Sequence, residues 1–324
     1  MNDILTTPVI LSQPDSRDYS ISAAMDFSGM ALPADFAVWQ PAVENQGQTG
    51  NCVAQALANI MECIEYQRTN KHKEYSVGYI YGKSSVPNAA GMIMRDACAI
   101  LYKEGDVYRA LWECFDENPW CFEKRFFVSE FIQSQAKKIG SYVRLYTKEE
   151  VQAFIYKYKI PVLICAKTSA YEGGAGDGYH ATACYGWESE ESFRNRLRNT
   201  TGDYGQEHKD MLYTNSWGTY WADPNGNGNI AFQDIQEIWG IIPMENNKLI
   251  DIKGHWAQKD IEEGAELGLF RGYEDNTFKP NQPITRAEVA TIAMRIMRNQ
   301  EAITEGLDER LRKIEKMFGI TTGN

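Results

Sequence analysis

The sequence predicts an α+β fold: a buried helix early in the chain, a set of strands later, and a small helical module at the end. Three observations carry this. Apolar residues at Val53, Ala56, Leu57, Ile60, Met61 and Ile64 follow the i, i+3, i+4, i+7 period of a buried helix face. Residues 162–166, 180–187 and 211–214 are apolar or alternating runs bounded by Pro, Gly and Asn, which is a strand pattern. Near residues 244–249 the composition turns polar, and a helix–turn–helix pattern follows.

The bulk numbers narrow the function classes. The chain has 324 residues, 43% hydrophobic and 24% charged, with 33 Lys and Arg against 44 Asp and Glu and a net charge of −11. That composition belongs to a globular protein with room for more than one domain. It has no basic stripe for nucleic acid and no apolar run long enough to span a membrane. The N-terminus lacks a basic segment followed by an apolar one, so no signal peptide is expected and synthesis in the cytoplasm is the expectation. Seven scattered cysteines, 52, 63, 98, 114, 121, 165 and 184, contain no CxxC. They argue against a disulfide framework or a zinc site, and no cofactor is expected.

In chain order, residues 1–31 carry no strong period and read as an arm or strap. Gly50 and Asn51 break the chain, with Asn51 as expected N-cap, and Cys52 opens the helix. A thiol there faces the positive end of the helix dipole, which favours thiolate. Residues 79–82 are ambiguous. A second helix is expected over 92–104, with Ile93, Ala97, Ile100 and Leu101 inward and Gly105 as its stop. Residues 106–126 are rich in aromatics and read as core and cleft wall. Thr147 and Glu150 form a capping box, opening a helix with Val151, Phe154, Ile155 and Tyr158 inward, and Pro161 ends it.

Residues 173–178 read as a flexible glycine-rich loop without the context of a phosphate-binding loop. His180 opens the strand that follows and shares a face with Thr182 and Cys184. Residues 188–210 read as a turn-rich surface insertion that could cover a cleft. Asp223, Asn225, Asn227 and, in twelfth place, Asp234 have calcium-loop spacing, although a hairpin turn explains the same residues without metal. In the terminal module, helices are expected over 255–267 and 285–298. Thr285 and Glu288 make a second capping box, and Val289, Ile292, Ala293 and Ile296 the buried face. Leu307, Leu311, Ile314 and Phe318 follow at near-heptad spacing.

Acyl transfer by a cysteine needs a base, a group that orients the base, and oxyanion donors. His180 is the histidine that opens an apolar strand. With it, Cys52, Asn215 and Gln46 are the candidates for these roles.

The motifs that hold these residues resemble those of papain-like cysteine peptidases (family C1). The stretch Asn45-Gln-Gly-Gln-Thr-Gly-Asn-Cys52-Val-Ala is similar to the active-site signature, with Gln46 six positions before Cys52. His180-Ala-Thr-Ala-Cys-Tyr-Gly resembles the histidine strand, and Asn215-Ser-Trp-Gly-Thr-Tyr-Trp221 the asparagine motif. The resemblance covers residues 32–243 and implies a helical subdomain facing a β-barrel-like one. It implies an endopeptidase acting on a protein or peptide substrate through a Cys52–His180–Asn215 triad. Cys52 would attack as a thiolate paired with imidazolium His180. Gln46 and the Cys52 N–H would hold the oxyanion, with Trp217 shielding the histidine and Gly50 and Trp221 in supporting places. Thr49 and Val53 depart from the usual signature, which leaves subsite shape open. A catalytically silent scaffold is the competing class.

Residues 249–298, with Asp251-Ile-Lys-Gly-His-Trp-Ala and Thr285-Arg-Ala-Glu288, resemble one S-layer homology repeat. The resemblance implies binding to a secondary cell-wall polymer, with Arg286 and Trp256 as contacts, and residues 299–324 as a tail. A single copy leads to the expectation of a homotrimer. Together the two resemblances imply action at a bacterial envelope, or within a phage or phage-tail-like particle.

Overall fold

In the computed structural model, residues 9–15, 18, 29–47, 49–84, 91–112, 130–200, 207–219, 225–244, 249–266, 270, 272–273, 277–294 and 296–297 are described. The chain forms two compact units. One comprises 1–128 and 136–244, the other 129–135 and 245–324. The break after 244 falls where the composition changes, and the grouping of 129–135 with the terminal unit has no signal in the sequence.

The first unit is organised around α1, Cys52–Thr69. The expected apolar face is buried except for Ile64, and so are Ala54, Gln55, Ala58, Glu62, Cys63 and Glu65. The helix is covered nearly all round because α2, Val77–Ser84, and α3, Met94–Lys103, pack on one side and the sheet on the other. α2 resolves the ambiguous stretch as helix. α3 begins two residues later than expected, because Met92–Ile93 forms strand β3. Its buried face is Met94, Ala97, Cys98 and Leu101, one step round from the expected set. Both sets have helical spacing, so neighbouring elements choose between them. Gly105, at φ 83°, stops the helix as expected.

The N-terminal arm is strapped onto this half. β1, Val9–Ile10, pairs in parallel with β3. Arg95 binds Asp18 through Nε at 2.7 Å and through a second guanidinium nitrogen, and reaches the Gln13 carbonyl at 2.6 Å. The Ser12 N–H donates to buried Glu237 at 2.9 Å.

The sheet half has seven antiparallel strands. β2 is Phe36–Ala37, β4 Ser141–Arg144, β5 Val162–Lys167, β6 Tyr179–Trp187, β7 Met211–Thr214, β8 Asn227–Ile230 and β9 Ile235–Ile242. The order is β4-β9-β5-β6-β7-β8, with β2 against β6. β5 and β6 are buried nearly throughout, because α1 covers one face and a further helix the other. After α4, Glu130–Ser134, that covering helix is α5, Lys148–Tyr158. Its capping box forms in both directions, with the Glu150 N–H donating to Thr147 Oγ1 at 3.1 Å and the Thr147 N–H to Glu150 at 3.2 Å.

Several expectations are corrected here. Residues 188–210 are not chiefly turns: α6, Glu190–Thr200, runs through them. Asp35 caps its start, accepting from the Ser189 N–H at 2.6 Å, and Phe193 is buried beside His208. Its polar composition hid a helix that buries little. The glycine-rich loop is a hydrogen-bonded turn in which the Gly174 N–H donates to the Tyr171 carbonyl at 3.0 Å. A Cβ on Gly174 would sit 1.9 Å from the Thr168 carbonyl oxygen. The calcium-loop spacing is not among these corrections: Asn227 lies in β8 and Asp234 in a short 3-10 helix, while Asp223 and Trp221 lie outside the described residues. Among the described residues no group of three or more His, Cys, Asp or Glu could hold a metal. The aromatics at 115–126 and the 303–318 pattern also lie outside them.

In the terminal unit, α7 is Gln258–Glu266, and residues 286–294 are helical. The Thr285–Glu288 capping box forms. Asp251 pins the intervening turn, accepting from the N–H groups of Phe278 and Lys279 at 2.7 Å each. The expected buried face is a correction: Val289 is 49% and Ile296 41% exposed, and Ala293 is exposed.

Candidate active site

Four expected residues from three separate segments come together. Cys52 starts α1, and His180 is the second residue of β6. Asn215 follows the last residue of β7, and Gln46 lies on the loop that enters α1. All four are buried, Cys52 at 1%, His180 at 0%, Asn215 at 3% and Gln46 at 0% exposure.

His180 is held on three sides. Its Nε2 lies 2.9 Å from Asn215 Oδ1. Trp217 stacks on the ring with centroids 4.3 Å apart and planes at 23°. Tyr171 stands across it at 5.1 Å and 81°. Asn215 is itself fixed, because its Oδ1 also accepts the Ser216 N–H at 2.8 Å. Nδ1 of His180 is buried and has no hydrogen-bond partner. With Nε2 engaged, this is the nitrogen left to exchange a proton.

The Gln46 carboxamide is also oriented. Ser216 Oγ donates to its Oε1 at 2.5 Å, and its Nε2 donates to the Thr49 carbonyl at 2.9 Å. The backbone follows the same path: the Gln46 N–H donates to the Ser216 carbonyl, and Asn45 bridges Trp217. The glutamine loop and the asparagine strand are thus tied into one wall. Gly50 precedes the helix and is buried.

Unsatisfied polar atoms gather here. Asn51 Oδ1 and Nδ2, His180 Nδ1 and Asn215 Nδ2 are buried without a partner. Asn51 occupies the expected N-cap position, but its side chain caps nothing. A buried donor or acceptor left unpaired costs about 1–3 kcal/mol, so such atoms mark places where a guest or ordered water pairs with them. A small cavity behind Asn215, lined by Gln55, Glu62, Thr182 and Thr214 among others, lies between the sheet and α1.

Burial shapes the electrostatics of the site. Burial pushes the Cys52 thiol up to about 11, although backbone groups at Ala181, Val53 and Cys52 oppose the rise. Burial also brings His180 down to about 4, against the opposing Asn215 bond. In this enclosed site burial works against charge on either group, so it opposes the thiolate–imidazolium pair that the resemblance implies. Desolvation of a fully enclosed site outweighs the helix dipole, whose effect is about 0.3–2 kcal/mol.

Sequence reasoning passed over Ser216 and Tyr171. Ser216 sat inside the asparagine motif and was open to notice. Tyr171 precedes the glycine turn with nothing in its spacing to single it out. In the terminal unit, Trp256 is 88% exposed and Arg286 is exposed. Neither is buried in a formed site.

Comparison with known proteins separates the two units. Residues 251–290 match the S-layer homology domain. Cell surface glycoprotein 1 of Acetivibrio thermocellus is 40% identical over 65 residues, 20% of this chain and 3% of that protein. The Cellulosome-anchoring protein of the same organism is 33% identical over 90 residues, 27% of this chain and 17% of that protein. The chain thus spans a small part of either relative. Among solved structures, xylellain, a cysteine protease from Xylella fastidiosa, superposes with a TM-score of 0.58 at 19% identity, covering 74% of this chain and 97% of that one. ProCathepsin B S9 from Trypanosoma congolense gives 0.51 at 12% identity, covering 74% and 87%. The fold is that of the papain-like cysteine proteases, with an S-layer homology domain behind it.

Proposed function

We propose that this chain is a cysteine endopeptidase held at a bacterial cell envelope, or in a phage-like particle acting there, by its S-layer homology repeat. The observation that carries the reading is the His180–Asn215 bond under Trp217, with Nδ1 of His180 left without a partner and the Cys52 thiol held by the backbone of Ala181, the next residue. Cys52 sulfur attacks the scissile carbonyl as its proton passes to His180 Nδ1. Asn215 keeps the ring oriented through Nε2. The Cys52 N–H and the Gln46 carboxamide stabilise the oxyanion. The C–N bond breaks as His180 returns the proton to the leaving amine, and water then hydrolyses the thioester. The substrate is a protein, a surface-layer or phage structural protein being the class that the location favours. In this reading residues 1–31 are an arm, 32–243 the peptidase domain, 249–298 the repeat and 299–324 a tail.

The test is covalent labelling with an epoxide or iodoacetamide probe, mapped by mass spectrometry, with hydrolysis of a peptide mixture measured in parallel. Adducts concentrated on Cys52, with activity lost in Cys52→Ala, support the reading. Labelling of Cys52 no faster than of Cys63, Cys98, Cys165 or Cys184, with no hydrolysis, favours a silent scaffold. Anchoring is tested separately by cosedimentation with isolated cell walls, where Arg286→Ala and Trp256→Ala are expected to weaken retention.

The exposed apolar residues of the terminal unit, Val289, Met294, Ile296 and Met297, favour assembly through this module, a homotrimer in the reading proposed here. A monomeric mass by analytical ultracentrifugation at working concentration overturns it.

A further inference from the structure

We propose that Tyr171 is a positioning residue for the His180 imidazole, packing against the edge of the ring that Asn215 holds through Nε2 and Trp217 stacks on. The inference rests on the peptidase reading for its catalytic meaning, but the geometry stands by itself.

Tyr171 is 2% exposed, at the end of the turn that follows β5. Its hydroxyl donates to the backbone carbonyl of His180 itself at 2.9 Å and accepts from Thr182 Oγ1 at 3.5 Å. Its ring meets three others: His180 at 5.1 Å and 81°, Tyr213 at 5.0 Å and 81°, and Trp217 at 6.5 Å and 73°. Such near-perpendicular ring pairs favour a fixed orientation over a sliding one. One side chain therefore touches both the backbone and the ring of His180, and also the tryptophan stacked on that ring. Buried among rings, the phenol is held well above its ordinary pKa, so it stays a hydrogen-bond donor across the working pH range.

The location explains why such a brace is useful. His180 lies just after the glycine turn, where Gly173 and Gly176 take positive φ. Glycines beside a strand end widen the backbone conformations open to it, so contacts there restrict it most usefully. The root of the turn is tied back by the Thr168 N–H to the Gly178 carbonyl at 2.8 Å, and Tyr171 adds the bond to His180 two residues on. The ring is then restrained at Nε2, on its stacked face and along one edge, and Nδ1 is left without a partner. A displacement of about 1 Å in a catalytic group can lower a rate by about 10²-fold.

The experiment uses the full chain with Tyr171→Phe and Tyr171→Leu, and Tyr213→Phe as a control for a buried phenol whose hydroxyl serves the Glu172 N–H instead. Three quantities are read: kcat and KM on a cleaved peptide, the pH profile of Cys52 alkylation, and the pH titration of His180 by NMR of labelled imidazole. Loss of the hydroxyl alone is expected to lower kcat about fivefold with KM unchanged, and loss of the ring about 10²-fold. Tyr171→Phe is also expected to shift the His180 titration, while Tyr213→Phe leaves all three near wild type. Wild-type values for every quantity in a folded Tyr171→Phe overturn the proposal, and so does an equal change in Tyr213→Phe, which would make the effect one of core packing. If the wild type neither cleaves peptide nor labels at Cys52, the peptidase reading fails. The His180 titration then decides the positioning role by itself.

Discussion

His180 Nε2 stands 2.9 Å from Asn215 Oδ1, and the bond is roofed by Trp217 at a ring separation of 4.3 Å. A hydrogen bond out of water is stronger and more directional than an exposed one. Asn215→Ala is therefore expected to lower kcat about 10²-fold with a smaller change in KM. Trp217→Leu is expected to lower it less and to make the loss more sensitive to pH. Steady-state kinetics over pH 5–9 checks both, and an Asn215→Ala variant with wild-type kcat would remove Asn215 from the mechanism.

Gln46 and Ser216 act as a pair. In the proposed mechanism Gln46 is an oxyanion donor, and removing such a donor typically lowers kcat by about 10²–10³-fold, which is the expectation for Gln46→Ala. Ser216→Ala leaves the donor but releases its 2.5 Å anchor, so the expected loss is smaller, about tenfold, and appears in kcat. The double variant is expected to resemble Gln46→Ala alone, since Ser216 acts through Gln46.

The pH dependence of stability follows from His180. Its folded value of about 4 lies below the ordinary 6.5, so the unfolded chain binds the proton more tightly. The stabilisation is full above pH 6.5 and is lost as pH falls through about 4, with a ceiling of about 3 kcal/mol. Urea denaturation at pH 7 and pH 4 is expected to show a steeper loss for wild type than for His180→Gln. Parallel losses would show that His180 titrates alike folded and unfolded.

The arm is held by a buried carboxylate. Glu237, 2% exposed, accepts from Arg144 at 2.8 Å, Trp239 Nε1 at 2.7 Å and the Ser12 N–H at 2.9 Å. Breaking such a cluster from one side leaves a partly buried guanidinium uncompensated. Glu237→Gln is expected to destabilise the first unit by about 3 kcal/mol. Arg95→Ala loses the clamp on Asp18 and Gln13 and the guanidinium over the Trp239 ring at 5.7 Å, so global stability falls by about 1 kcal/mol and the arm becomes sensitive to limited proteolysis. Equal protease resistance in wild type and Arg95→Ala would contradict this.

Legibility differed from element to element. The α5 capping box and the β5 strand were readable because their signals are local: a Thr and a Glu three apart, then an unbroken apolar run after Pro161. α3 was readable as a helix but not in its rotation, since two adjacent apolar stripes have the same period and only α1 and the strands select between them. α6 was missed because a charged exposed helix carries almost no apolar period. Cys52, His180, Asn215 and Gln46 were legible through their motifs. Tyr171 was not, because one tyrosine before a glycine turn carries no pattern.

The sequence by itself determined the candidate residues for acyl transfer, the order in which they occur, and that a second module follows a change of composition at residues 244–249. These depend on spacing along the chain. Only the tertiary structure decided that His180 is held from three directions, that Cys52 and His180 are both enclosed, and that Val289, Ala293 and Ile296 of the terminal helix are exposed. Burial and ring contacts arise between segments far apart in sequence. Desolvation, which sets the protonation of the site, depends on what surrounds a group in space and not on its neighbours in the chain.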